Sequence, residues 1–202
     1  MNIITISREF GSGGRELGKR IADILGYAYY DREIISAIAE KHDFDENYVE
    51  KVLEGGVPFT MPITYGRTFS YTDTTGQQAI QLLSSQCKLL REAAEKGNCV
   101  IVGRCANIIL EDYDPFNIFV YADMASKLAR CRERAPEGEN LRDNELKRKI
   151  KQIDAGRARH QRFMSDKKWG AKESYHLCVN TSGAEIKKLA PVIAEYIKIN
   201  LE

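Results

Sequence analysis

The chain begins with an apolar segment, a glycine-rich loop and an amphipathic stretch, and this order limits the fold more than any other feature. Residues 3–6 are Ile-Ile-Thr-Ile, which predicts a short buried strand, and residues 10–16 are Phe-Gly-Ser-Gly-Gly-Arg-Glu. Apolar residues then recur at helical spacing, with Ile21 and Ile24 on one face, until Gly26 predicts the helix end. A strand, a glycine loop and a helix in this order form the start of an α/β unit.

Strand and helix patterns alternate along the rest of the chain. Further strands are predicted at residues 27–30, 99–102, 118–121 and 176–179. Further helices are predicted after Asp31 as N-cap, at residues 77–96 with Ile80 facing inward, at 124–134 and at 184–199. This alternation predicts one α/β domain over residues 1–202, with a parallel sheet and right-handed crossovers. Residues 55–76, which are rich in Gly, Pro and Thr, predict a long loop or an inserted lobe.

The charge balance excludes two classes of protein. The chain has 30 Lys and Arg against 29 Asp and Glu, whereas nucleic-acid coats and polybasic membrane-binding proteins depend on excess positive charge. No apolar run approaches the roughly 20 residues that span a bilayer. The first residues have no basic segment of the kind that begins a signal peptide. We therefore expect a cytoplasmic protein with neither nucleic acid nor membrane as a partner.

The cysteines and histidines do not form a metal motif. The five cysteines include no Cys-x-x-Cys pair, and the three histidines are scattered along the chain. We expect buried or half-buried thiols in a reducing compartment, and no metal site by direct motif.

The glycine loop is suited to binding an anion. Its glycines allow several backbone N–H groups to point at one spot, and the following helix adds its positive end. The loop departs from the phosphate-loop pattern G-x-x-x-x-G-K-[ST], because Arg15 or Gly14 stands where the lysine is expected. The loop alone is compatible with a phosphate site or with a plain strand-to-helix turn.

Three informative stretches follow predicted strands. They are residues 11–16, the pair Gly103-Arg104, and residues 180–182 with the sequence Asn-Thr-Ser. Ligands of parallel α/β sheets bind beyond the carboxyl ends of the strands, so these stretches are predicted to converge on one site.

A basic segment spans residues 127–168. It contains fourteen Lys and Arg and seven Asp and Glu, a net charge of +7, whereas the rest of the chain is slightly acidic. Arginines bind phosphate oxygens and stabilise transition-state charge, although a charge run is also typical of a solvated helix face. Asp154 lies among Arg157, Arg159 and Arg162, where it holds an arginine, binds a sugar hydroxyl or forms a surface pair.

In combination these stretches resemble the cytidylate kinase-like family, a divergent branch of the P-loop nucleoside monophosphate kinases. The matching stretches are residues 4–16, residues 29–33 (Tyr-Tyr-Asp-Arg-Glu), residues 100–104 (Val-Ile-Val-Gly-Arg) and residues 180–182. Their order and spacing cover nearly the whole chain. The resemblance implies a P-loop NTPase-type α/β fold, a parallel five-stranded sheet flanked by helices, with an acceptor-binding lobe at 45–80 and a lid at 127–168.

The resemblance also implies a role for each matched position. The donor triphosphate is expected on the loop residues Gly11, Ser12, Gly13, Gly14, Arg15 and Glu16. The acceptor is expected at Asp31, Arg104, Asp154 and Arg157. The lid is expected to carry Lys127, Arg130 and Arg134, and the catalytic charges are expected from Arg15, Arg130 and Arg157.

The resemblance implies ATP-dependent phosphoryl transfer with Mg²⁺, and CMP or dCMP is the leading acceptor. The chain departs from the classical cytidylate kinases at Cys105, where they have Asp, and at Ile150 and Lys151, where they have Arg and Asp. Two alternatives stay open: a kinase for another small molecule, and a non-catalytic protein that binds nucleotide or phosphate. Nucleotides are the expected partners, and the expected assembly is a monomer or a homodimer.

Overall fold

Five parallel strands form the centre of the protein. The computed structural model describes residues 2–55, 74–135 and 141–201. The strands are β1 (Ile3–Arg8), β2 (Ala28–Tyr30), β3 (Cys99–Val102), β4 (Phe116–Tyr121) and β5 (Leu177–Asn180). They pair in the order β2-β3-β1-β4-β5, and every pair is parallel, which confirms the predicted sheet.

Helices cover both faces of this sheet. They are α1 (Gly14–Leu25), α2 (Glu33–His42), α3 (Glu46–Gly55), α4 (Thr74–Glu95), α5 (Ala106–Ile109), α6 (Met124–Glu133), α7 (Asp143–Met164) and α8 (Ile186–Leu201). Short 3₁₀ turns lie at Glu111–Tyr113 and Lys172–Ser174. Among the described residues, no helix combines the length and the apolarity that crossing a membrane requires.

The alternation of side chains along the strands produces two cores. Ile4 and Ile6 of β1 pack with Leu17 of α1 and Ile193 of α8 on one face. The second core lies on the opposite face, where Ile3 of β1 and Ile101 of β3 pack against three helices. The helix residues are Ile38 of α2, Leu53 of α3, and Leu82 and Leu90 of α4. Burial on both faces explains why β3 is apolar at every position.

The strand order places a crevice at the carboxyl end of β1. The chain leaves β1 for β2 and β3 on one side of the sheet, and later forms β4 and β5 on the other. The loops after β1, β3 and β5 therefore end at the same edge, where α/β sheets bind ligands.

Three local predictions are wrong. Ile80 of α4 is 60% exposed and Ile24 of α1 is 44% exposed, so neither belongs to the core. The N-cap position of α2 is Arg32, without a side-chain cap, because the Asp31 carboxylate pairs with arginines. Gly26 does end α1 in the left-handed conformation, with φ 68°, as predicted.

Two predicted insertions extend beyond the described residues. Residues 56–73, within the predicted acceptor lobe at 45–80, and residues 136–140, within the predicted lid at 127–168, lie outside the described residues. The described part of the lid segment consists mainly of α6 and α7.

Candidate phosphate-binding site

The glycine loop follows β1 and leads directly into the amino end of α1. Gly11 and Gly13 have φ of 76° and 82°, the left-handed region that favours glycine. A Cβ atom at Gly11 would lie 2.9 Å from Sγ of Cys131, and one at Gly13 would lie 2.7 Å from Cδ1 of Ile186. The loop therefore needs glycine for both its turns and its close packing.

Ser12 helps to close the loop. Its hydroxyl donates to the carbonyl of Glu9 at 2.8 Å, and the side chain is fully buried. The structure thus directs this hydroxyl into the loop, away from the cavity that the loop borders.

A cavity of about 330 Å³ lies between the glycine loop and helices α6 and α7. The loop contributes Phe10, Gly11, Gly13 and Gly14, and the far wall includes the apolar Leu141 and Leu146. Among the described residues, the cations on its wall are Arg8, Arg15, Arg130, Arg132, Arg134, Lys149 and Arg157, and the acidic residue is Glu9. Such an excess of positive charge beside backbone N–H groups suits a polyanion.

Lys127 lies in a buried cluster beneath the loop. Its ammonium group is 2.7 Å from Oε2 of Glu9 and 3.1 Å from Oδ2 of Asp154. The other oxygen of Asp154 accepts the backbone N–H of Phe10 at 2.6 Å. Burial raises the pKa of Asp154, and this N–H and the Lys127 ammonium partly offset the shift. The cluster thus joins the loop to α6 and α7.

Arg130 joins the glycine loop to the loop after β5. Its guanidinium donates to the carbonyls of Thr181 at 2.5 Å, Ala184 at 3.1 Å and Ser12 at 3.4 Å. The hydroxyl of Thr181 also donates to the carbonyl of Ser12, at 2.6 Å. Thr181 had no predicted role of its own, although it lies in one of the three stretches that follow predicted strands.

Arg15 and Asp31 form an ion pair at the mouth of the site. Asp31 follows β2 and its side chain is 5% exposed, whereas that of Arg15 is 48% exposed. Arg134 pairs with Glu16, and Glu16 does not line the larger cavity. Burial, and then the Asp31 carboxylate, raise the pKa of the neighbouring Tyr29.

Arg104 lies in a second, narrow cavity of about 30 Å³. Its side chain is 1% exposed, and Nη2 is 3.7 Å from a carboxylate oxygen of Glu50. Arg8, Arg157 and His160 also line this cavity. Burial raises the pKa of the adjacent Cys105 to about 12, so this thiol is neutral near pH 7.

The structure thus brings together most of the predicted site residues. Gly11, Gly13, Gly14, Arg15, Arg130, Arg134 and Arg157 line the larger cavity, and Arg104 and Arg157 line the smaller one. Asp154 and Lys127 lie behind the loop, and Asp31 lies at the rim. Arg8 lines both cavities. Arg8 was not predicted as a site residue. When Gly13 is aligned with the last glycine of the phosphate-loop pattern, Arg8 stands where the first glycine would be.

The described carboxylates of the site do not gather into a cluster that could hold a metal ion. The described residues contain no group of three or more His, Cys, Asp or Glu side chains placed to hold a metal ion. Glu9 and Asp31 are each paired with a cation.

Comparisons with known proteins agree with this geometry. The sequence model of the cytidylate kinase-like family matches residues 3–183. No curated protein matches the sequence. An uncharacterized protein from Eubacterium ventriosum ATCC 27560 has a similar structure, with a TM-score of 0.69 and 24% identity over 98% of this chain and 99% of that chain.

Two kinases also have similar structures. Shikimate kinase from Bacteroides thetaiotaomicron has a TM-score of 0.60 and 17% identity, over 98% of each chain. Deoxyadenosine kinase from M. mycoides, with dCMP and dCDP bound, has a TM-score of 0.50 and 13% identity over 99% of this chain and 100% of that chain. These similarities show a shared fold.

Proposed function

Because this chain belongs to the cytidylate kinase-like family, we propose that it transfers a phosphoryl group from ATP to a nucleoside monophosphate. Membership of this family supports a phosphotransferase activity. CMP and dCMP are the leading acceptors. The observation that carries the proposal is the cation-lined cavity beside the glycine loop.

The donor site is the cavity of about 330 Å³. Backbone N–H groups of residues 11–15 would bind the phosphate oxygens at the amino end of α1. Arg15 would exchange its partner Asp31 for the phosphates, because its side chain is half exposed at the cavity mouth. Its fixed positive charge would offset the missing lysine of the loop.

The acceptor site is proposed at the neighbouring ends of β2 and β3. Arg104 would bind the acceptor phosphate there, together with Arg157, and Asp31 would bind the acceptor at the rim. The narrow cavity holds about 30 Å³, which is less than a nucleotide needs, so the acceptor must open it. Asp154 would support this site indirectly, through the loop and Lys127.

The lid residues are proposed to neutralise charge in the transition state. Arg130 and Arg134 lie on or just after α6 and face the donor cavity, with Arg157 opposite on α7. Phosphoryl transfer needs positioning and electrostatic stabilisation more than covalent work by the protein. Closure of this wall would also exclude water, which limits wasteful hydrolysis of ATP.

Magnesium is proposed to enter with the nucleotide. The described carboxylates of the site are paired with cations and do not fit a protein-held magnesium centre. Mg²⁺ commonly keeps several waters and binds substrate phosphates, so this role needs few direct protein ligands.

One observation favours a second candidate, a kinase for a small hydroxyl compound. Asp31 is a buried carboxylate at the strand end, held by Arg15, and a carboxylate there can take the proton of a hydroxyl acceptor. A phosphate acceptor needs no such base. Asp31→Asn therefore separates the candidates: we expect a loss below about 10-fold for a monophosphate kinase, and a loss of about 100-fold or more for a hydroxyl kinase.

An acceptor screen tests the proposed function. ADP formation is measured with ATP and Mg²⁺ against CMP, dCMP, UMP, AMP and shikimate. We expect turnover with CMP or dCMP, and thermal stabilisation by ATP and CMP together that exceeds the sum of their separate effects. Turnover with shikimate alone would favour the hydroxyl kinase. Stabilisation by nucleotides with no turnover would indicate a binding protein.

A further inference from the structure

Arg8 occupies the boundary between the two cavities. It is the last residue of β1 and is 7% exposed. A Cβ atom at Gly14, the first residue of α1, would lie 2.6 Å from Cβ of Arg8, so the phosphate loop passes directly over this side chain. Arg8 lines the larger cavity beside the loop and also the narrow cavity that contains Arg104.

The end of β3 is shaped to accept the guanidinium group of Arg8. A Cβ atom at Gly103 would lie 1.5 Å from Nη1 and 2.6 Å from Cζ of Arg8. Only glycine leaves this space. Asp31 lies nearby, with a carboxylate oxygen 3.9 Å from Nη2. The backbone carbonyl of Arg8 accepts a hydrogen bond from Nη1 of Arg157 at 3.1 Å.

A buried guanidinium group at this place has a clear electrostatic consequence. Arginine cannot be deprotonated in a protein, so burying it costs desolvation free energy that an anion at the site would offset. The strands β1 and β3 and the helix α7 bring Arg8, Arg104 and Arg157 to the same boundary. A phosphoryl group that moves from the donor cavity to an acceptor at Arg104 must pass Arg8.

We propose that Arg8 is a catalytic residue that binds the phosphoryl group during its transfer, a role separate from the contact with the bound triphosphate that is proposed for Arg15. This inference rests on the proposed function. In the step, the bond from phosphorus to the departing ADP oxygen breaks, and its electron pair stays on that oxygen. An oxygen of the acceptor phosphate forms the new bond, and Arg8 keeps its protons throughout.

Removing the guanidinium group and adding it back tests the proposal. Arg8→Ala is expected to lower kcat by about 100-fold or more, while the Kd for ATP stays nearly constant, because the contact forms in the transition state. Guanidinium chloride at a non-denaturing concentration is expected to restore part of kcat. Arg91→Ala, which changes an exposed arginine of α4, is the control. Its kcat should match that of the wild-type protein and should not rise when guanidinium chloride is added. Unchanged kcat in folded Arg8→Ala overturns the proposal.

The space at Gly103 provides a second variant that leaves Arg8 in the sequence. Gly103→Ala should displace the guanidinium group and lower kcat as Arg8→Ala does, and the double variant should lose no more than Arg8→Ala alone. Gly26→Ala is the matched control, because Gly26 has a similar φ of 68° and open space around its Cβ position. Independent, multiplying losses from Gly103→Ala and Arg8→Ala would contradict a shared role.

A further measurement separates this proposal from the proposed function. If the wild-type chain phosphorylates no monophosphate, the proposed function fails, and the Arg8 proposal is then tested with ADP and aluminium fluoride, which mimics a phosphoryl group in transfer. Aluminium fluoride should tighten ADP binding to the wild-type chain but not to Arg8→Ala. Equal tightening in both proteins, or tightening in neither, overturns the role of Arg8.

Discussion

The hydroxyl of Thr181 donates a hydrogen bond of 2.6 Å to the carbonyl of Ser12, and so ties the last strand to the glycine loop. Both side chains are fully buried. The bond is reinforced by Arg130, which contacts both residues. The shape of the glycine loop thus depends on a residue almost 170 positions away in the sequence.

Thr181→Val is expected to destabilise the protein by about 1–3 kcal/mol, because the isosteric methyl group leaves a buried carbonyl with a weaker set of donors. Chemical denaturation measures the change. ATP affinity should fall as well, since the loop loses its tie. Thr181→Ser keeps the hydroxyl and is the control. An equal loss of ATP affinity in Thr181→Ser would show that the hydrogen bond is not responsible.

Lys127→Met is expected to cost about 3–5 kcal/mol of stability, because it leaves the carboxylates of Glu9 and Asp154 close together without their shared cation. The free energy of unfolding, measured in urea, provides the test. Lys19→Met, on the exposed face of α1, is the control and should change stability by less than about 1 kcal/mol. A loss of that small size in Lys127→Met would mean that the buried cluster does not hold the loop.

Asp154 gives a prediction on pH. Burial raises the pKa of Asp154 in the folded protein above its ordinary value of 3.8, so the folded state binds this proton more tightly than the unfolded state. The contribution of Asp154 to stability is therefore largest below pH 3.8 and falls as the pH rises through the folded pKa. The difference in unfolding free energy between the wild-type protein and Asp154→Asn should therefore decline as the pH rises from 3.8 through the folded pKa of Asp154.

Asp123 provides a control of opposite sign. Asp123 is the N-cap of α6, where its side chain accepts the backbone N–H of Ser126. This hydrogen bond lowers the pKa of Asp123, so its contribution to stability is present above pH 3.8 and is lost as the pH falls through the folded pKa. The difference between the wild-type protein and Asp123→Asn should therefore grow as the pH rises. The same trend for both variants would contradict the assignment of buried and capping roles.

Arg104→Met is expected to weaken binding of the acceptor CMP and to leave binding of the donor ATP unchanged. The side chain is buried in the narrow cavity, and Arg104 does not line the donor cavity. The value of kcat/KM for CMP should fall by about 100-fold, since a charge-assisted contact to phosphate is lost, and the Kd for ATP should stay the same. If ATP binding falls and the KM for CMP does not, the two sites have been assigned the wrong way round.

The sequence predicted the local features of this fold well. Strand patterns, the glycine loop and the end of α1 at Gly26 depend on neighbouring residues, and the structure confirms them. The position of Asp31 before α2 suggested an N-cap, but Arg15 and Arg8 attract its carboxylate from other elements. Such competition between a local hydrogen bond and a distant ion pair has no signature in the sequence.

The arrangement of the cations was the hardest feature to predict. Lys127 and Asp154 were expected at a lid and an acceptor, and the structure places them in a buried cluster behind the loop, where their predicted roles stay untested. The place of Arg8 depends on Gly103, which is distant in sequence and adjacent only through the pairing of β1 with β3. The contact between Arg8 and Gly103 therefore follows from the order of the strands in the sheet, which the spacing of residues along the chain does not reveal.

A crystal structure of the chain with a non-hydrolysable ATP analogue tests the central claim most directly. We expect the triphosphate in the cavity between the glycine loop and α6, with its oxygens about 3 Å from the backbone nitrogens of residues 11–15 and from the guanidinium group of Arg15. A nucleotide bound elsewhere, with this cavity closed by protein side chains, would contradict the account.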